Sequence, residues 1–306
     1  MNKTAIFAII VFFCMASVGY TLTVIYAPHC FGRTKADWTR VYEDLVSQNK
    51  TSKGYSYIMS LEGNGRHDRR HKNNARDTIV FIPKETTANK PIDFIFYFHG
   101  LGGFKERDFR VRTLRHTPAL SENNNYVLII PEMPWSRNTS TPRSRQGRVF
   151  TREQNFATFT QSVNAIVNIH YKQLVRINKA ILIGHSAGGS ALMSISRSGG
   201  MNWLYEQTNT KEIKVIFSDA SYGRWLDIAW NSINPRKEGI EFVVLTRKND
   251  RPYHNASRFL RRKTLHGLRH IVFDRRQKSH GDIGDEAMQW VYEPETSGCG
   301  EGEENG

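Results

Sequence analysis

Residues 184 to 188 read Gly-His-Ser-Ala-Gly, with the apolar run Ala180 to Ile183 in front and small residues behind. This places one hydroxyl, that of Ser186, where a strand turns abruptly into a helix. The pattern G-x-S-x-G suits a nucleophilic serine for a steric reason. The turn is so tight that side chains at the glycine positions would strike the neighbouring strand and helix. A serine there is raised on a strained turn, and the helix that follows aims its positive end at developing negative charge. The N–H of Ala187 is then a candidate oxyanion donor. Glycines and a serine also make an ordinary turn and helix cap. The rest of the chain must therefore supply a base, an acid and a second oxyanion donor.

It does so in a workable order. His99-Gly100-Leu101-Gly102-Gly103 ends an earlier apolar run, and its glycines allow backbone N–H groups to approach a tetrahedral oxyanion. Leu101 is the expected donor, with Gly100 and Gly102 shaping the loop and His99 bracing it or touching substrate. His280, in "RRQKSHGDIG", follows the last apolar run and is the candidate base. Two carboxylates end strands between Ser186 and His280. Asp250, in "VVLTRKNDRPY", is the favoured partner because its loop can reach toward the imidazole. Asp219, in "VIFSDASYG", is the alternative, and its other reading is a helix cap. Trp135 and Tyr222 are candidates for a substrate pocket. Arg143 and Arg145 lie in an arginine-rich stretch, 134 to 156, suited to anionic groups. No C-x-x-C or H-E-x-x-H spacing occurs, so neither metal nor cofactor is expected.

Such residues need a scaffold that brings distant segments to one edge. Seven apolar runs qualify as strands: 78–83, 92–98, 126–131, 180–184, 213–219, 240–246 and 270–274. Most are continuous Ile/Val/Phe runs, the signature of strands buried on both faces. Helical patterns alternate with them. In "EQNFATFTQSVNAIVNIHYKQLV", Phe156, Phe159, Val163 and Ile166 recur near a 3.6-residue period. Shorter candidates are "SAGGSALMSISRS", "RWLDIAWNSI" and "ASRFLRRKTL". Alternation of this kind predicts an α/β fold, a mostly parallel sheet with helices on both faces.

"FHGLGG", "YVLIIPEMPW" and "ILIGHSAGGSAL" together resemble the α/β-hydrolase superfamily over residues 78 to 292. They are most similar to secreted esterases of the polyester-depolymerase and feruloyl-esterase kind. The resemblance implies a Ser-Asp-His triad, ester hydrolysis through an acyl-enzyme, and no metal. "SDASYG" departs from the usual pattern and leaves the acid open between Asp250 and Asp219. Two other functions remain: a peptidase or amidase of cell-envelope material, and a non-catalytic binding protein on a hydrolase fold.

The flanks carry less chemistry. Residues 1 to 30 hold one lysine, Lys3, and no other Lys, Arg, Asp or Glu. Residues 5 to 27 meet the roughly 20-residue length of a membrane span, and Ser17 and Gly19 offer the small residues of a signal cleavage site. Either a signal peptide or an anchor puts the catalytic part outside the cytosol: secreted, periplasmic or membrane-attached. Residues 31 to 77 read as a basic extension containing one short helix, "DWTRVYEDLVSQ". Residues 293 to 306 read as a disordered acidic tail. Cys30 and Cys299 could pair in an oxidising compartment. Asn49, Asn138 and Asn255 stand in N-x-S/T sites. The net charge of +14 favours an anionic or polymeric ester substrate. The basic residues are scattered over several loops and match no nucleic-acid motif, which excludes that class of partner.

Overall fold

The structure, a computed structural model, describes residues 54–61, 76–100, 125–131, 133, 150, 153–207, 210, 212–233, 239–261 and 267–292. The N-terminal apolar segment, the helix expected at 37–48, most of the loops after the strands ending at Phe98 and Pro131, Cys30, Cys299 and the acidic tail lie outside these residues.

Eight strands form one sheet: β1 (Gly54–Leu61), β2 (Arg76–Pro83), β3 (Ile92–Phe98), β4 (Tyr126–Pro131), β5 (Ile177–His185), β6 (Glu212–Ser218), β7 (Ile240–Arg247) and β8 (Leu268–Phe273). Their spatial order is β1-β2-β4-β3-β5-β6-β7-β8. The pairings β1–β2 and β2–β4 are antiparallel, and the other five are parallel. Strands β3 to β8 thus run the same way, and every residue that follows one of them emerges at the same edge.

The continuous apolar runs have the cause expected of them. β4 is buried throughout, and β3 is buried except at Tyr97. A core of apolar residues fills each face of the sheet. On one face lie the helices α1 (Glu153–Tyr171), α2 (Gly189–Arg197), α3 (Gly200–Gln207), α4 (Trp225–Ser232) and α5 (Arg251–Leu260). The inward stripe of α1 is Phe156, Phe159, Val163, Ile166 and Val167. It meets Phe96, with ring centroids 5.5 Å from Phe156 and 6.0 Å from Phe159. The opposite face carries α6 (His280–Gln289), which buries Ile283, Ala287 and Met288 against Ile183, Ile216 and Val243. The mostly parallel sheet with helices on both faces is therefore present as expected. No described helix is long and apolar enough to cross a membrane.

Several boundaries differ from those read in the sequence. The sheet begins at Gly54, inside the stretch taken as an extension, because β1 pairs with the whole length of β2 from Gly54↔Pro83 to Leu61↔Arg76. The helix placed at 256–265 runs instead from Arg251 to Leu260, with Pro252 in its first turn, where its missing N–H costs no hydrogen bond. Helices α3 and α6 have no counterpart in the sequence reading.

Candidate active site

β5 ends at His185, and Ser186 follows with φ +52°. That left-handed conformation costs a non-glycine residue about 1–2 kcal/mol. It turns the chain through a short 3₁₀ segment, Ser186–Gly188, into α2. The glycines around it are required by close approach. A Cβ on Gly188 would lie 2.0 Å from the carbonyl oxygen of Phe98, at the end of the adjacent strand β3. A Cβ on Gly100 would lie 3.0 Å from Cβ of Ser186, so the loop after β3 passes directly beside the serine. Gly188→Ala should therefore lower the melting temperature by more than about 5 °C or prevent soluble expression. Gly223→Ala, at φ +57° but with open space around it, should cost only the backbone strain, about 2–4 °C in a chain of this size. Thermal unfolding of the two variants checks the contrast.

His99 is buried beside this turn. Its Nδ1–H donates to the carbonyl of Gly100 at 2.7 Å, and its Nε2 accepts from the N–H of Met133 at 2.9 Å. Both ring nitrogens are thereby used to tie the loop after β3 to the segment after β4. His99 is a brace, and its ring nitrogens are not spare for substrate. Leu101 and Gly102, Trp135, Arg143 and Arg145 lie outside the described residues.

His280 is the first residue of α6 rather than part of a loop. Ser279 caps the helix: its Oγ accepts from the N–H of Asp282, and its own N–H donates to Asp282 Oδ2 at 2.6 Å. Ser218 Oγ donates to the carbonyl of Ile283 at 2.7 Å. His185 Nε2–H donates to the carbonyl of His280 at 2.9 Å, and the two imidazoles lie 4.7 Å apart. The histidine beside the serine thus holds the backbone of the other histidine. On β8, His270 shares a 2.8 Å hydrogen bond with Thr246 Oγ1. Burial pushes its pKa down to about 4.

The carboxylate that meets His280 is Asp219. His280 Nδ1–H donates to Asp219 Oδ2 at 2.6 Å. Asp219 is fully buried at φ +46°, and its N–H donates to the carbonyl of Leu245 at 2.8 Å. It does not cap α4, whose N-cap residue is Arg224. Asp250, the favoured carboxylate in the sequence reading, is the N-cap residue of α5. It pairs with Arg247 and lies 3.6 Å from Nε of Arg275. The reason is local. Asp219 follows β6 immediately and is held by the backbone of β7, whereas Asp250 is drawn to the guanidinium three residues before it.

Tyr222 lies in the same cluster. Burial pushes its phenol up, helped by the charge on Asp219 and opposed by a hydrogen bond between its hydroxyl and that of Ser186. Its ring packs edge-on against Trp225 at 5.6 Å. The side-chain nitrogen of Asn255 donates to the carbonyl of Ser221 at 2.9 Å, which steadies the loop that carries Asp219 and Tyr222.

A serine on a glycine-flanked turn after the central strand, a histidine after the last strand, and the order β1-β2-β4-β3-β5-β6-β7-β8 decide the architecture. This is the α/β-hydrolase fold. No family model and no curated protein sequence matches the chain. Among solved structures it is similar to an S-formylglutathione hydrolase from Agrobacterium tumefaciens, at 15% identity over 79% of this chain and 96% of that one, with a TM-score of 0.44. It is also similar to the feruloyl esterase module from Clostridium thermocellum, at 15% identity over 78% and 87%, TM-score 0.47. A siderophore hydrolase from Aspergillus nidulans gives 11% identity over 77% and 93%, TM-score 0.49. The strand order and the turn at Ser186 define the fold here.

Proposed function

We propose that this protein is a serine hydrolase that cleaves carboxylic esters through an acyl-enzyme. Ser186 is the nucleophile, His280 the base and then the acid, and Asp219 the carboxylate that orients the imidazole. The observation that carries this reading is the 2.6 Å bond from His280 Nδ1 to the buried Asp219. It puts the imidazole proton on Nδ1 and leaves Nε2 to take the proton of Ser186. In the first step Ser186 Oγ attacks the ester carbonyl while Nε2 accepts its proton. The imidazolium then protonates the departing alcohol. Water, deprotonated by the same nitrogen, releases the acid and restores the serine. The N–H groups of Ala187 and Leu101 receive the oxyanion.

A buried aspartate bonded to an imidazole, beside a serine held at positive φ, supports an enzyme over a binding protein that has only retained the fold. Strain of this kind persists where function uses it. A fluorophosphonate should label Ser186, identified by peptide mass, and a series of nitrophenyl esters should be hydrolysed at rates that depend on acyl length. Absence of both label and turnover would refute the reading. The net charge of +14 favours anionic or polymeric esters among the substrates. Residues 1 to 30 are assigned to export, as a cleaved signal or as an anchor through 5 to 27. N-terminal sequencing of the exported protein distinguishes these.

A further inference from the structure

We propose that Arg247 and Asp250 set the proton affinity of His280 through Asp219, Arg247 as the positioning residue that holds the carboxylate and Asp250 as its counter-charge. The proposal rests on the assignment of Ser186, Asp219 and His280 made above.

One oxygen of Asp219 does all the work. Oδ2 accepts from His280 Nδ1 at 2.6 Å and from Arg247 Nε at 3.2 Å. Oδ1 is buried and has no hydrogen-bond partner among the described residues. The carboxylate is therefore fixed in angle by the guanidinium and not by a second bond of its own. A guanidinium is permanently charged. Placed on the carboxylate that must stabilise an imidazolium, it competes with the imidazolium for the same negative charge. The competition is offset, because the other end of the guanidinium is paired with Asp250. Both side chains are largely shielded, at 18% exposure for Arg247 and 14% for Asp250, so the charges are weakly screened. From the imidazole outward the charges run Asp219 negative, Arg247 positive, Asp250 negative.

The two outer residues must then act with opposite sign. Removing the cation strengthens the hold of Asp219 on the imidazolium and raises the proton affinity of His280. Removing the outer anion leaves the cation unopposed and lowers it. Other groups around His280 stay constant across these variants. They are Asp282 on α6, Lys278 on the segment after β8, Tyr222 after β6, His185 at the end of β5 and Tyr97 on β3. Lys278 is itself paired with Glu286. Arg275 would be released when Asp250 loses its charge, which adds to the effect of that change.

The test is the acid limb of the pH profile of kcat/KM, which reports the free-enzyme base, measured with a neutral nitrophenyl ester at fixed ionic strength. Arg247→Gln should move the limb up by about 0.5–1 pH unit and Asp250→Asn should move it down by a similar amount, within the range that neighbouring charges produce. The double variant should return close to the parent, and Arg247→Lys should restore the limb by restoring the charge. Limbs that stay in place, or that move the same way in both single variants, would overturn the proposal. So would a uniform loss at every pH, which is what a purely structural ion pair gives. If Arg247→Gln does not fold, Asp250→Asn and Arg247→Lys decide by themselves. Fluorophosphonate labelling of Ser186, run on each protein, separates the two ideas. Labelling with unmoved limbs defeats this proposal alone, whereas no labelling of the parent defeats the triad.

Discussion

Ser186→Ala should lower ester hydrolysis by more than about ten-thousandfold and abolish labelling by a fluorophosphonate. The scale follows from what a nucleophile contributes in serine hydrolases, where its loss removes nearly all of the triad's effect at once. The fold should survive, because alanine keeps the Cβ that the site already accommodates beside Gly100. The strain should survive as well. Serine and alanine both carry a Cβ at φ +52°, and only glycine escapes the penalty. Ser186→Gly should consequently be as inactive as Ser186→Ala but melt a few degrees higher, from relief of about 1–2 kcal/mol. Turnover, labelling and melting temperature measured on the three proteins separate chemistry from stability. An alanine variant that still turns over substrate would remove Ser186 from the mechanism, whatever its fold.

The elements that could be read from sequence were those with one strong local cause. β3 and β4 were legible to the residue because each is a dense apolar run, interrupted only by Asp93 in β3, closed by a polar or proline boundary. The turn at Ser186 was legible because steric demand writes glycine into fixed positions around it. β1 was not, because "GYSYIMSL" mixes polar and apolar residues and stands between polar stretches. Its place is set by pairing along β2, which is a tertiary fact. α6 was missed for a related reason. "HGDIGDEAMQ" contains two glycines and few apolar residues. What makes it a helix is the reciprocal cap at Ser279 and Asp282 together with burial of Ile283 and Ala287. The sequence did contain the signal, since Ser279 and Asp282 have the spacing of a capping box. The choice between Asp219 and Asp250 was not legible at all. Both follow strands, both precede His280 and both pair with Arg247; what separates them is the backbone of β7, which holds Asp219 where the imidazole meets it.

That choice governs the second large effect. Asp219→Asn should cut turnover by more than about a hundredfold, and up to about 10⁴ if this carboxylate behaves as in the type case. Asparagine is the right substitution. It tolerates the left-handed backbone at φ +46°, keeps the shape of the side chain, and can still accept from Arg247. What it cannot supply is the negative charge that stabilises the imidazolium; with its amide turned the other way, which gives up the bond from Arg247, it faces His280 as a donor and favours the wrong tautomer. The melting temperature should change much less than turnover, because Arg247 keeps Asp250 as its partner. Asp250→Asn should lose no more than about tenfold at a pH above the acid limb, since its carboxylate reaches the imidazole only through Arg247 and Asp219. Turnover and thermal unfolding of both variants, assayed under the same conditions, check the contrast. The reverse pattern, with Asp250→Asn the more damaged enzyme, would require Asp250 to displace Arg247 and take the imidazole when substrate binds. Equal and modest losses in both would mean that Ser186 and His280 work as a pair, and that the buried bond between Asp219 and His280 contributes to folding and not to catalysis.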